Sequence, residues 1–211
     1  MEPVLSSDLA DLPRSITKQE INVLPLMRYE GAYELVDTDE KLESALEALK
    51  SETLLGFDTE SRPSFRKGEN HPVSLVQLAG ATKVYLFQIR RAAQSERLRE
   101  VLSDEGMVKA GVAIRDDIRK LQELFQFEEA GFVEIAELTR PLSISNTGLR
   151  SLAAIFLGFR ISKNAQVSNW ARKDLTRNQQ VYAATDAWVS RQLYLKLEAF
   201  GLANGLRTSS Q

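Results

Sequence analysis

The stretch Thr53-Leu54-Leu55-Gly56-Phe57-Asp58-Thr59-Glu60 decides how the rest of the chain is read. An apolar run with the character of a buried strand ends abruptly in two carboxylates one residue apart. Successive side chains of a strand point to opposite faces, so Asp58 and Glu60 share a face, their Cα atoms roughly 7 Å apart. Two like charges at the mouth of a buried strand repel each other and lose hydration. A hard divalent cation such as Mg²⁺, which favours carboxylate oxygens, removes that conflict. The competing reading is a solvated strand end, and an Asp-x-Glu taken alone favours it.

The whole chain narrows the choice. Its 211 residues are 43% hydrophobic and 27% charged, the composition of an ordinary globular protein with one substantial core. The absence of cysteine excludes disulfides, thiolate nucleophiles and cysteine-ligated zinc. His71, the only histidine, excludes any site that needs two imidazoles and reads as a loop residue before Pro72. The first residues carry Glu2, Asp8 and Asp11 and lack the basic head and apolar core of a signal peptide. The longest apolar run, Leu152 to Phe159, is too short to cross a bilayer, so no membrane partner and a cytoplasmic location are expected. A net charge of -2 argues against holding nucleic acid by bulk electrostatics, but not against meeting a phosphate backbone through metals and a local basic patch.

Outward from the opening stretch, the pattern alternates strands and helices. Residues 1–30, with Pro3, Pro13 and Pro25, read as an extension lying on the domain, with a short helix from Thr17. A strand at Tyr33–Val36 precedes a helix capped by Asp37 or Thr38, whose Leu42, Ala45, Leu46 and Leu49 follow the i, i+3, i+4, i+7 rule. After Glu60 a loop rich in Pro, Gly and basic residues leads to two short strands, Val73–Ala79 and Lys83–Phe87, turning at Gly80-Ala81-Thr82. Glu96–Leu102 reads as a helix and Val108–Ile114 as a strand. A helix near Asp116 then carries Ile118, Leu121, Leu124 and Phe125 on one face, and Phe132–Ile135 is a last strand. Leu149 to Leu157 form an amphipathic helix ended by Gly158. Thr176 and Gln179 make a capping-box pattern that opens the final helix, which Gly201 stops. The expected division is an extension at 1–30, one domain at 31–203 and a frayed tail at 204–211. This order predicts an α/β sheet covered on both faces, with the 73–87 pair antiparallel.

The final helix adds a second carboxylate signal. Tyr182 and Asp186 are four residues apart and so lie on one face, which continues through Val189, Leu193, Leu197 and Phe200. Asp186 therefore points inward. A buried unpaired carboxylate costs several kcal/mol or takes up a proton, so it needs a cation, a basic partner or a ligand. A third signal is Arg115-Asp116-Asp117 at a strand-to-helix junction, where ligand sites of α/β sheets tend to lie. Either aspartate is available there; Asp116 suits a helix cap, and Asp117, four before Leu121, is on the inward side.

These pieces carry a resemblance. Phe57-Asp58-Thr59-Glu60, Gly111-Val112-Ala113-Ile114-Arg115-Asp116-Asp117 and Tyr182-Ala183-Ala184-Thr185-Asp186 resemble the three exonuclease motifs of the DEDDy family. Within it the chain is most similar to the Werner-syndrome-type exonuclease domain and its ribonuclease D relatives. Ser168-Asn169-Trp170, Leu175-Thr176 and Gln179 extend the likeness, which covers about residues 32–200. It does not include the helical domains that follow in ribonuclease D. The resemblance implies an RNase H-like fold, with a mixed, mostly parallel five-stranded sheet and helices on both faces. It also implies 3′-to-5′ hydrolysis of nucleic acid with a free 3′ end, single-stranded or recessed, assisted by two divalent cations, Mg²⁺ or Mn²⁺. Asp58, Glu60, Asp117 and Asp186 become the metal-binding acids and Tyr182 the tyrosine that aims the attacking water. The histidine branch of the family is excluded by the position of His71.

Substrate contacts are expected from the basic stretch Arg160, Lys163, Arg172, Lys173 and Arg177, and from Arg66 and Lys67. Lys163 and Arg172 are the candidates for the strand backbone, Thr59 borders the terminal nucleotide, and Trp170 is either a base-stacking platform or a buried structural residue. The rivals to an exonuclease are a catalytically silent nucleic-acid- or partner-binding module on the same fold and a phosphoesterase of small nucleotides. A silent module has no need of all five site residues.

Overall fold

The computed structural model describes residues 9, 11–66, 68–93 and 95–203; the expected tail at 204–211 and Lys67 lie outside them. The quoted stretch forms β2 (Leu54–Ser61), which pairs antiparallel with β3 (Val73–Ala79) and parallel with β5 (Val108–Gly111). β3 pairs antiparallel with β4 (Lys83–Gln88), β4 parallel with β1 (Ala32–Val36), and β5 parallel with β6 (Phe132–Glu134). The order is β1-β4-β3-β2-β5-β6. The expected five strands are therefore corrected to six. Each strand-like stretch finds a neighbour, and even the three-residue β6 holds its place because it runs in register along Lys109–Gly111 at the sheet edge.

Strand alternation sorts the side chains of β2 into two layers. Leu55 and Phe57 join one core with α2 (Asp39–Leu49), α4 (Glu96–Ser103) and α5 (Arg115–Leu124), which follows the four-residue α3 (Ile89–Ala92) and α4 in chain order. Leu54 and its neighbours face the other way, toward the long helix that ends the fold, with α6 (Ile135–Leu138) and α7 (Leu149–Leu152) beside it. That helix, α8 (Arg177–Ala199), opens with the expected capping box between Thr176 and Gln179. Gly201, at φ +78°, follows its end in the left-handed region that glycine adopts without strain. Ala183, Ala184 and Ala187 present small side chains to β3 and β4, so helix and sheet approach closely. An alanine Cβ at Gly56 would overlap the Ala187 carbonyl oxygen, so glycine is required there for the crossing of β2 under α8.

Three local expectations change. The strand Val108–Ile114 stops at Gly111, because Ala113 turns to φ +60°. Leu124 is 39% exposed; it is the last residue of α5, and Phe125 in extended backbone takes the core position instead. The helix after Gly148 widens into a π-helical turn over Ala153–Leu157 before Gly158 ends it.

Before the sheet, α1 (Lys18–Val23) begins at a Thr17–Glu20 capping box. Met27 N–H donates to Arg160 O at 2.9 Å, Arg160 N–H to Pro25 O at 2.9 Å, and Tyr29 N–H to Thr185 Oγ1 at 2.9 Å. Among the described residues no helix is long and apolar enough to cross a membrane.

Candidate active site

Asp58 and Glu60 project from the α8-facing side of β2, beyond the point where Gly56 admits the helix. The same close approach delivers Asp186, 5% exposed, onto them: oxygens of Asp58, Glu60 and Asp186 all lie within 4.8 Å of one another. Asp117 arrives from the opposite layer, in the first turn of α5, and reaches the cluster over the end of the sheet. It stands outside the tight trio, yet its charge acts on both Asp58 and Glu60. Its neighbour Asp116 is exposed and pairs with Arg119 at 3.3 Å, so the doublet resolves geometrically with Asp117 on the inward side.

The electrostatics follow from crowding. Burial, then the charges of Asp186 and Asp117, hold Asp58 well above the ordinary aspartate range, against a hydrogen bond from the Thr59 backbone. Burial, then the charges of Asp58, Asp186 and Asp117, push Glu60 up to about 10. Burial lifts Asp186 to about 7, opposed by the Tyr182 hydroxyl and by Arg150. Asp117 is raised mainly by burial; Thr59 and Lys120 oppose the rise. Thr59 Oγ1 is buried and makes no hydrogen bond of ordinary geometry, so its influence on Asp117 is one of proximity. Acids that resist ionisation because they are buried and crowded together are a receptacle for positive charge, and oxygen-only donors suit Mg²⁺ or Mn²⁺. The residues present fit such a cation.

Tyr182, one helical turn before Asp186, lines the same cleft, and burial with the surrounding carboxylates raises its phenol far above its usual value. Trp170 packs against it at 5.9 Å between ring centroids. At 1% exposure Trp170 is buried, and the expectation of a base-stacking platform is corrected to its structural alternative: its faces are spent on the tyrosine and the core. The loop carrying Trp170 is latched to α8, since Gln179 Nε2 donates to Ser168 Oγ at 3.1 Å and Asn169 O at 3.3 Å.

The cleft has a volume of about 390 Å³. Asp58, Thr59, Glu60, Tyr182 and Asp186 line it together with Arg150, Ser151, Ser162, Lys163 and Gln166. Lys163 thus stands at the site, whereas Arg172 is exposed and does not line the cleft; its carbonyl, with that of Lys173, accepts from Gln88 Nε2. Arg160 is occupied elsewhere, donating from Nε to Leu24 O at 3.0 Å.

Two residues escape the motif reading. Glu134, at the end of β6, accepts from the backbone N–H of Ala113 at 3.0 Å and of Ile114 at 2.9 Å, holding the left-handed turn that aims α5 and hence Asp117. It also accepts from Ala136 N–H at 3.1 Å. Its signal was a carboxylate closing an apolar strand, the signal that singled out Asp58. The other is Arg150, in the first turn after Gly148.

Three carboxylates gathered over the end of the central strand, with a fourth beside them, define the class of this fold: a mixed α/β sheet that carries an acidic site at a strand end. A family model described as 3′-5′ exonuclease matches residues 33–200. A curated relative, the mouse bifunctional 3′-5′ exonuclease/ATP-dependent helicase WRN, is 31% identical over 188 residues, covering 84% of this chain and 13% of that protein. The crystal structure of the Aedes aegypti Nibbler EXO domain superposes with a TM-score of 0.74 at 25% identity, covering 86% of this chain and 98% of that one. Escherichia coli RNase D shares the fold, with a TM-score of 0.67 at 23% identity over 82% of this chain and 47% of that one. The chain belongs to the 3′-5′ exonuclease family.

Proposed function

We propose that this chain removes nucleotides from the 3′ end of nucleic acid, single-stranded or recessed, by metal-dependent hydrolysis of the terminal phosphodiester. The observation that carries the reading is the placement of Asp186: a buried helix carboxylate brought within 4.8 Å of two strand-end carboxylates, an arrangement with no purpose in packing. Asp58, Glu60, Asp117 and Asp186 would hold the divalent cations, either Mg²⁺ or Mn²⁺, with the tight trio Asp58, Glu60 and Asp186 as the first site and Asp117 serving a second. Bound there, such a pair supplies charge stabilisation to the attacking and leaving oxygens of an in-line displacement.

The protein groups do the rest. Tyr182 stays protonated through the physiological range, because its pKa is raised rather than lowered. It therefore orients the attacking water by hydrogen bonding and does not act as general base. Trp170 and Asp186 fix the angle of its ring. Thr59 and Lys163 border the terminal nucleotide and the strand backbone.

The test is incubation of 5′-end-labelled single strands and recessed duplexes with Mg²⁺ or Mn²⁺, and with EDTA. Stepwise shortening from the 3′ end, abolished by EDTA and by Asp58→Asn, is expected. Binding without shortening, unchanged in Asp58→Asn, refutes the proposal and identifies a silent module.

A further inference from the structure

The cleft that gathers the acids also contains one cation fixed by the fold. Arg150 lines the cleft together with Asp58, Glu60 and Asp186, and its Nε donates to Ile161 O at 3.1 Å. That bond pins the plane of the guanidinium and leaves both terminal amino groups without a hydrogen-bond partner among the described residues. Arg150 is close enough to Asp186 to lower its pKa, yet it forms no ion pair with it. A pinned guanidinium with no ion pair among the described residues therefore shares the cleft with a carboxylate cluster. Gly148, two residues earlier, also lines the cleft, and a side chain there would meet only open space.

We infer that Arg150 is a phosphate-binding residue of this site, taking non-bridging oxygens of the scissile phosphodiester and then the 5′-phosphate of the released nucleotide.

This rests on the exonuclease reading, and the charge balance of that reaction shows why a fixed cation is useful. Four carboxylates and two divalent cations cancel formally, leaving the charge of the substrate uncompensated. Hydrolysis forms a phosphorus–oxygen bond to water and breaks the bond to the 3′ oxygen of the shortened strand. One water proton ends on that 3′ oxygen, and the other passes to solvent from the fraction of product phosphate that becomes a dianion and stays on the rest. The phosphodiester monoanion becomes a phosphomonoester of charge between -1.5 and -2 near neutral pH, so negative charge grows along the path. A guanidinium with both terminal amino groups free matches the oxygens of phosphate in a planar fork, which an ammonium cannot do. Lys163, which lines the same cleft, is exposed and is not held in this way.

Arg150→Gln isolates the role. The glutamine Nε2 falls where the arginine Nε stands and can still donate to Ile161 O, so only the terminal amino groups and their charge are removed. Nucleoside 5′-monophosphate and uncharged nucleoside are titrated calorimetrically into wild-type, Arg150→Gln and Arg150→Lys proteins with Ca²⁺ present; single-turnover shortening with Mn²⁺ and thermal melting are measured alongside. Arg150→Gln is expected to weaken monophosphate binding by tenfold or more, leave nucleoside binding and the melting temperature unchanged, and slow the saturated rate at least tenfold. Arg150→Lys is expected to fall between. Unchanged monophosphate binding in Arg150→Gln overturns the inference, as does an equal loss for nucleoside and monophosphate. Active wild-type protein with unchanged monophosphate affinity in the variant refutes Arg150 alone. Wild-type protein that shortens no strand, but whose monophosphate affinity falls in the variant, refutes the exonuclease reading alone.

Discussion

Replacing Gly56 with alanine pushes directly on the contact that brings Asp186 to Asp58. A Cβ there would stand 2.7 Å from Arg191 N and 2.9 Å from Arg191 Cβ, both below the 3.0 Å floor of real Cβ contacts, and would overlap Ala187 O. The obstacles are backbone of α8, which cannot swing aside as a flexible side chain can. The interior is close-packed, so relief requires the helix to retreat by roughly 1 Å. Overpacking of this kind costs about 1–3 kcal/mol. For a chain of this size each kcal/mol lowers the melting temperature by about 2–4 °C, so a fall of about 2–12 °C is expected. The functional loss should be larger than the stability loss, because Tyr182 and Asp186 ride on the displaced helix while Asp58 and Glu60 stay with β2. A misplacement of about 1 Å at reacting groups costs on the order of 100-fold in rate. The assay is single-turnover shortening of a labelled strand beside thermal melting and Mn²⁺ titration. A Gly56→Ala protein with wild-type melting and wild-type rate refutes the close-approach account. A variant that melts early yet cleaves normally shows that α8 and β2 are not the rigid pair described.

The acid cluster makes stability depend on pH with a definite sign. Glu60 is raised to about 10 and Asp186 to about 7, so the folded protein holds protons that the unfolded chain has lost above its ordinary carboxylate range. Stability in EDTA must therefore fall as pH rises from about 4.5 through 7 and toward 10, and Mn²⁺ should raise the melting temperature more at pH 8 than at pH 5.5. A melting temperature in EDTA that climbs over this range contradicts the crowding. Asp58→Asn should flatten the dependence and raise the metal-free melting temperature by several degrees while abolishing cleavage; differential scanning calorimetry across pH reads both. Glu134→Gln keeps only one acceptor oxygen for the N–H groups of Ala113 and Ile114, costing about 1–2 kcal/mol. Because the turn it holds aims Asp117, turnover should drop about tenfold or more while tight binding of the first Mn²⁺ persists, which titration and rate measurements separate. Trp170→Phe should lower the melting temperature and kcat through a looser Tyr182, with KM for a long strand unchanged; a rise in KM alone restores Trp170 as a base platform.

Most of the acid constellation was legible because each member obeys a local period. Asp58 and Glu60 share a face by strand alternation, Asp186 shares a helix stripe with Val189, Leu193 and Leu197, and Asp117 lies one turn before buried Leu121. What alternation and helical period do not contain are contacts between distant segments. Glu134 reaches across to Ala113, and nothing in the residues around Ala113 announces a left-handed alanine. Arg150 reads as one more solvated charge until Ile161 O fixes its direction. Trp170 offered a ring suited to a base or to a core, and only the position of Tyr182 decided between them. The sixth strand was countable as a segment, but its pairing depends on a register set by β5.

The segment preceding the sheet bears on where this domain can be cut. The family match begins at residue 33, and a fragment chosen from it would start at the second residue of β1. Such a fragment lacks Tyr29, whose backbone N–H satisfies the hydroxyl of Thr185, the residue next to Asp186. It also lacks the ring that packs on Trp188 at 5.8 Å, and the Pro25 and Met27 bonds to Arg160, ten residues before Trp170. Loss of these ties uncovers the outer side of the helix that carries half of the site. The smallest piece that preserves the acid geometry therefore opens at the Thr17 cap, one short helix and a strap earlier than sequence similarity marks, and an inactive fragment from residue 33 would report on a missing strap rather than on missing chemistry.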